Sequence, residues 1–489
     1  MFGIGLPSLK DLALARRGCF HFPTILEIAG MKEGLAREWI AQISSRSTPL
    51  CLRLSMLVET PTAPVSASTV RRKIAWRILP FVFVLYIVSY LDRANVAFAK
   101  IPMSEELHFS EAVFGFGAGI FFIGYLLLEI PGALLVEHWS ARKWIARILV
   151  TWGFCTIGIG FIQTPRGFYW ARFFLGLAEA GFFPGVIIYL THWFSARDRA
   201  RAMSGFTMAV PLSLAMGAQL SAAILQVDWF GLAGWRWMFI LEGLPAVVLG
   251  VGAWFYLTDR PENARWLEPA ERDWINRQLR MENERKRAEG KAAFRDSLRD
   301  PNVILLALGL FFVVLGGYGF LFWLPSTIKE ASGLSVVQST VLASLPFGLA
   351  FFAIAVFGWS SDRANERKLH AAVPMALAGV FLWLSTLPGQ SLFWLLVWLS
   401  LTGAAAYAWA PAFWALPTLL LGESAAAVSV GIINCVGSLG GFVGPFAVGY
   451  LLNQGYPKVV VLSFLQVSFL LAALLLCLTR PPQTEMKAL

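Results

Sequence analysis

The chain has 489 residues, of which 57% are hydrophobic and only 14% charged, with 20 Trp, 39 Phe and a formal net charge of +10. Long apolar runs recur from residue 78 to residue 479, which argues against a string of soluble domains, and no period-two alternation points to a membrane barrel. The basic balance sits in loops between apolar runs rather than in a nucleic-acid-binding patch, and the five cysteines show no paired spacing that implies a metal site or a disulfide framework. Composition therefore supports an all-α, multi-pass membrane protein.

Taken in order, residues 1–70 contain neither a membrane-length run nor a signal-peptide pattern, and the Pro-, Ser- and Thr-rich stretch 57–70 reads as a poorly ordered extension. Met56 is a candidate alternative start. Twelve spans are expected near 77–98, 111–136, 143–163, 167–191, 200–225, 236–257, 302–324, 335–359, 370–387, 391–413, 424–451 and 457–479. Lys and Arg cluster in alternate loops, as at Arg142, Lys143 and Arg147, at Arg197, Arg199 and Arg201, and throughout 258–300. The positive-inside rule then puts both termini and the long loop in the cytoplasm of a plasma membrane, the inner membrane if the source is bacterial. The expected organisation is an N-terminal six-helix bundle over 71–257, a cytoplasmic linker over 258–300, a C-terminal six-helix bundle over 301–480 and a tail over 481–489.

Charges inside the apolar runs are the candidate functional groups. Asp92 and Arg93 end the first span, and Arg172 and Glu179 lie seven residues apart, close to two turns and so on one helix face. An ionised group at the centre of a membrane helix costs roughly 2.5–3.5 kcal/mol on insertion scales, so such groups persist where they face a wet cavity or a partner. The plain alternative is that Asp92 and Arg93 snorkel at the membrane edge, or that both pairs only lock helices together. A repeated loop supports a duplication. Glu137, Arg142 and Lys143 after the second span match Asp362, Arg367 and Lys368 after the eighth, all 225 residues apart, with Arg363 completing the second copy.

The loop from Gly358, Gly-Trp-Ser-Ser-Asp-Arg-Ala-Asn-Glu-Arg-Lys, resembles the signature loop of the major facilitator superfamily; the first copy has Ala133 and Ser140 where the pattern has glycines. Tyr-Leu-Asp-Arg-Ala-Asn-Val (90–96), Phe-Phe-Ile-Gly-Tyr-Leu-Leu-Leu-Glu-Ile-Pro (121–131), Ala-Glu-Ala-Gly-Phe-Phe-Pro-Gly (178–185), Trp-Ala-Leu-Pro-Thr (414–418) and the Gly-rich run 431–445 resemble the anion:cation symporter family, most of all its tartrate and phthalate branch. That resemblance spans about residue 72 to the end. It implies the major facilitator fold, two six-helix bundles rocking about a central cavity, and import of a small organic anion by proton symport. The coupling ion is expected to be H⁺, with Na⁺ compatible with the same carboxylates. The resemblance further implies that Asp92 and Glu179 carry protons, that Arg93 or Arg172 meets the substrate carboxylate, and that Tyr90, Tyr125 and Asn434 contact substrate. On physical grounds alone each tyrosine fits a packing role equally well, and Asn434 fits a helix–helix bond. Glu129 and Glu242 read as gate, packing or structural acids. Some sugar-acid carriers of that family have a polar residue near the positions of Val210 and Pro211, and its absence here is a departure from the resemblance that argues against a highly hydroxylated substrate.

No nucleophile–base set, metal cluster or nucleotide-hydrolysing motif is present, so neither an enzyme nor an ATP-driven pump is expected, and no cofactor beyond the coupling ion. The expected partners are a small organic acid and the lipid bilayer, without nucleic acid, with the monomer as the functional unit. The competing readings are a drug or sugar exporter of the same superfamily, and a membrane sensor that binds without transporting.

Overall fold

The computed structural model describes residues 66–288, 299–421 and 423–480. The expected extension 1–70 therefore lies almost wholly outside the described residues, as do residues 289–298 of the linker and the tail after Arg480. Among the described residues regular structure is helical. Helices α1 (Ala67–Leu107), α2 (Glu111–His138), α3 (Ala141–Ile159), α4 (Pro165–Glu179), α5 (Phe182–Thr191), α6 (Ala196–Ile224) and α7 (Gly234–Tyr256) form the first half. Helix α8 (Pro269–Ala288) follows, and then α9 (Pro301–Ser332), α10 (Val336–Leu342), α11 (Ser344–Ala364), α12 (Lys368–Leu384), α13 (Leu392–Ala408), α14 (Ala410–Leu421), α15 (Glu423–Asn453) and α16 (Lys458–Cys477).

Three of the expected spans are broken in two, α4 with α5, α10 with α11 and α13 with α14, and with each of these taken as one unit the helices among the described residues are consistent with the twelve expected spans. Nine segments among the described residues are long and apolar enough to span a bilayer; Met208–Ile224 of α6 and α12 are shorter apolar helices. Helix α3 carries Arg142, Lys143 and Arg147 in its first two turns, and this charge keeps it below the same standard. Helix starts follow ordinary capping: Ser110, Ser140, Thr164 and Asp300 each accept a bond from a backbone N–H of the first turn. Large apolar side chains point away from the protein, with Phe255, Phe352 and Phe393 78%, 65% and 67% exposed, as expected of a surface solvated by lipid tails.

The break between α4 and α5 positions the site. Gly181 takes φ +81°, and its Cα packs against Gly132 of α2 so closely that a Cβ would sit 3.0 Å from the Gly132 Cα. Only glycine meets both demands at low cost. Glu179 is thereby left as the last residue of α4, buried in the first bundle.

The two bundles meet along α2 against α15, α6 against α10 and α11, and α1 against α9. Tight contact gathers where the helix ends lie away from the termini. A Cβ on Gly115 would lie 2.5 Å from the Pro445 carbonyl oxygen and 2.9 Å from the Gly449 Cα, a backbone approach that small residues permit in membrane helices.

At the opposite end α8 is strapped to α1. Lys73 Nζ lies 2.7 Å from Glu271 Oε2, and Arg71 sits over the Trp274 ring. Burial alone would push the Glu271 carboxyl up, but the Lys73 ammonium and the Glu268 backbone N–H outweigh it and hold it below the usual carboxylate range. A depressed folded value contributes stability above the unfolded value, about 4.3, that is lost as pH falls through the folded value. Lys73 is 39% exposed, so Lys73→Met is expected to cost only about 0.2–1 kcal/mol at pH 7. The difference in thermal unfolding between wild type and variant should vanish near pH 3.

Candidate functional site

Four charged residues come together where α1 faces α4. Asp92, Arg172 and Glu179 are each 1% exposed. Their pairing crosses what the sequence suggests. Arg93 Nε reaches Glu179 Oε1 at 2.6 Å, so the ion pair runs between helices instead of within Asp92–Arg93 or Arg172–Glu179. Ser89 donates a second bond to the same Glu179 oxygen at 2.8 Å, while Glu179 Oε2 has no hydrogen-bond partner. Asp92 is held by neutral donors, Thr156 Oγ1 at 2.6 Å and Asn95 Nδ2 at 2.9 Å. Its burial excludes the snorkelling alternative.

Arg172 is left over. Its Nη2 makes one long bond of 3.4 Å to the Ala118 carbonyl, and its Nε and Nη1 meet no hydrogen-bond partner among the described residues. A buried guanidinium with unused donors is costly unless something arrives to use them. The Phe121 ring lies between the two cations, 4.9 Å from Arg172 and 5.6 Å from Arg93. Tyr90 and Tyr125 stand 5.3 Å and 4.9 Å from the Arg93 guanidinium. Tyr318 of the second bundle packs its ring 4.5 Å from Phe122 and lies within electrostatic reach of both Arg93 and Arg172. This set can hold an anion beside Arg172 and exchange one at Arg93.

Asn434 sits apart. Its amide donates to Glu129 Oε1, tying α15 to α2 across the bundles, and Cys435 Sγ lies 3.7 Å from the other Glu129 oxygen. The helix–helix bond is the arrangement found here.

Of the residues in the duplicated loop, Arg367 pairs with Asp362 at 2.6 Å and donates to Ser361, while Lys368 bonds the Thr479 carbonyl. Arg363 lies over the Trp359 ring. In the first copy Arg142 lies 3.9 Å from Asp259, beyond the end of α7, and Ser140 donates to the same carboxylate. Lys143 lies over Trp139. The Glu137 side chain lies outside the described residues.

Several site residues escape sequence reasoning. Ser89, Thr156 and Phe121 carry no signal in an apolar run beyond a small hydroxyl or a ring. Lys100 does: it is a cation in a span expected to end at 98, and α1 continues to Leu107. Lys100 is 4% exposed and bonds Glu111 at 3.0 Å and Ser326 at 3.2 Å. Trp323 of α9 donates to the other Glu111 oxygen at 2.7 Å, and its ring lies 4.8 Å from the Lys100 ammonium. Glu111 thus bolts the two bundles together at the end away from the termini. Lys100 is buried while Glu111 is 39% exposed, so removing the Glu111 carboxylate leaves a buried ammonium uncompensated and destabilises the state that contains the pair. Glu111→Gln is therefore expected to raise labelling of Ser326→Cys by a membrane-impermeant thiol reagent at least about tenfold, applied from the side opposite the termini.

Comparison with known proteins agrees with this architecture. Residues 82–445 match the Major Facilitator Superfamily. A protein of Agrobacterium vitis named "Putative tartrate transporter" is 44% identical over 78% of this chain and 88% of its own length. The "Quinolone resistance transporter" of Acinetobacter baumannii is 36% identical over 83% of this chain and 93% of its own. Among solved structures, an inward-facing bacterial homologue of the human lysosomal transporter Spinster superposes with a TM-score of 0.64 at 18% identity, covering 83% of this chain and 95% of that one. The Escherichia coli xylose transporter XylE gives 0.61 at 16%, over 83% and 99%. With helix order, duplicated loop, family match and structural likeness in agreement, the chain belongs to the Major Facilitator Superfamily, and its organic-anion-type motifs fit the anion:cation symporters within it.

Proposed function

We propose that the protein imports a small organic anion of the tartrate kind by proton symport, working by alternating access in a bacterial inner membrane with both termini cytoplasmic. One observation carries this reading: Arg172 is a buried cation with two nitrogens, Nε and Nη1, whose N–H donors are unused, while the neighbouring Arg93 is held by a carboxylate. Arg172 receives a substrate carboxylate in the two-pronged geometry that guanidinium favours. If all four groups are ionised, Asp92, Arg93, Arg172 and Glu179 sum to zero, so an added anion needs a compensating proton in a low-dielectric site. A proton on Glu179 cancels the charge that holds Arg93 and frees that guanidinium for the substrate. Departure of the anion and return of Arg93 to Glu179 expel the proton on the other side. The Lys100–Glu111–Trp323 contact closes one end of the pathway, and the loops at Arg142–Asp259 and Asp362–Arg367 act at the other. The coupling ion is H⁺ in this reading; a Na⁺ carrier would need an oxygen cage to which Arg93 contributes nothing.

Ligand-induced stabilisation tests the binding half. Adding L-tartrate, D-galactonate or phthalate to the purified protein should raise the melting temperature for at least one acid, and Arg172→Ala should abolish the rise. Stabilisation by a quinolone and by none of the acids would favour drug export, a reading the Acinetobacter relative keeps in play.

A further inference from the structure

Two cations at the start of α3 meet no carboxylate among the described residues. Arg142 lies beside Asp259, but the side chains of Lys143 and Arg147 touch only indole rings. The Lys143 ammonium is 5.8 Å from the centre of the Trp139 ring, and the Arg147 guanidinium stacks 3.9 Å from that of Trp144. The two rings meet edge to face at 6.4 Å. Cations and indoles thus alternate in one patch that joins the end of α2 to the first two turns of α3. Arg147 Nε and the Trp144 indole N–H are buried without an acceptor among the described residues.

This patch faces the bilayer. Lys143 and Arg147 are four residues apart and share a helix face. Phe154, nearly two turns further along that face, is 61% exposed, and Trp139 is 58% exposed. Arg147 lies about 10 Å along the axis from Phe154, towards the membrane edge on the side of the termini. The second half has no such patch. At the 225-residue offset Lys143 corresponds to Lys368, which is spent on the Thr479 carbonyl, while Trp144 and Arg147 correspond to Leu369 and Ala372. A cation left without a carboxylate beside lipid is costly unless the membrane itself supplies the anion.

We propose that Lys143 and Arg147, framed by Trp139 and Trp144, hold the phosphate of an anionic phospholipid in the leaflet on the side of the termini. Arg147 presents paired donors to two phosphate oxygens, and Lys143 adds a point charge. The indole rings sit at headgroup level, as aromatic side chains do at a membrane interface. A free phosphate shares this chemistry, but the neighbouring Phe154 face gives a lipid's acyl chains a surface to lie on. The bound headgroup pins the start of α3 to the membrane plane, next to the contacts of Ser140 and Arg142 with Asp259. The docking is the same whatever the transported substrate.

Thermal unfolding of the purified full-length protein in a neutral detergent tests this. The protein is titrated with dioleoyl phosphatidylglycerol, with dioleoyl phosphatidylcholine, or with inorganic phosphate. Phosphatidylglycerol should raise the midpoint at lower concentration than phosphatidylcholine, and inorganic phosphate should not raise it. Arg147→Gln should increase the phosphatidylglycerol concentration for half the effect about fivefold, and Arg147→Gln with Lys143→Gln about twenty-fivefold. Their phosphatidylcholine response should stay as in wild type, which also shows that the variants fold. Lys143→Gln alone, expected to cost about fivefold, serves if Arg147→Gln does not fold. Arg363→Gln, which removes an exposed cation stacked on Trp359 in the second copy of the loop, should change neither response. An unchanged phosphatidylglycerol response in the double variant, or an equal loss in Arg363→Gln, would overturn the site. Stabilisation by inorganic phosphate equal to that by phosphatidylglycerol would overturn the lipid as its occupant.

Discussion

Arg172→Ala is expected to abolish organic-acid binding and transport while leaving the protein folded. Truncating one member of a buried, hydrogen-bonded charge pair costs about 2–5 kcal/mol, which corresponds to a loss of affinity of roughly thirtyfold to several thousandfold. Arg172 makes one weak backbone contact in the protein, so its removal sacrifices little packing beyond the stack on Phe121. Arg172→Lys should recover only part of the affinity, because an ammonium cannot present the paired donors of a guanidinium. Binding of L-tartrate measured by calorimetry distinguishes these outcomes. Unchanged affinity in Arg172→Ala would leave Arg93 as the sole anion ligand.

Glu179→Gln is expected to separate exchange from accumulation. The glutamine keeps a carbonyl that can accept from Ser89 but carries no charge, so Arg93 is permanently released. Substrate then binds at any pH and exchanges across the membrane. An imposed proton gradient should no longer concentrate it, and accumulation should fall at least about tenfold, to equilibration. The contrast with Asp92 is instructive. Asp92 is hydrogen-bonded by the neutral donors Thr156 and Asn95, so Asp92→Asn removes a proton site without breaking an ion pair, and substrate affinity should change less than in Glu179→Gln.

Both expectations depend on a pairing that the sequence did not disclose. The first and fourth spans were legible from their apolar runs, and the four charged residues from their cost in hydrocarbon. Which acid meets which base was not, because that depends on the rotation of α1 against α4. The seven-residue spacing of Arg172 and Glu179 suggested a pair on one face. The break at Gly181 and the packing of α1 instead bring Glu179 to Arg93. The break itself had a readable signal in Ala-Gly-Phe-Phe-Pro, since a glycine followed closely by proline interrupts a helix. Asn434 shows the reverse case. Both of its roles were foreseen from sequence, and the position of Glu129 on the facing helix determines which one this structure contains. Lys100 was overlooked because the apolar run ends before it; nothing local says that α1 carries on for about two and a half more turns, bringing Lys100 into contact with Trp323.

Duplication was more fully legible. The acid-then-base loops recur at one place in each half, but among the described residues only the second contains its own acid–base contact, Arg367 with Asp362; Arg142 of the first meets Asp259 beyond the end of α7. Losing the glycines in the first copy leaves Ser140 free to cap α3 and bond Asp259 at once.

The most direct test of the central claim is uptake of labelled L-tartrate into proteoliposomes holding wild type or Glu179→Gln, with and without an inward proton gradient. The account predicts gradient-driven accumulation by wild type, and equilibrating exchange without accumulation in Glu179→Gln. Accumulation that persists in Glu179→Gln would contradict it, since the proton would then be carried without ever releasing Arg93.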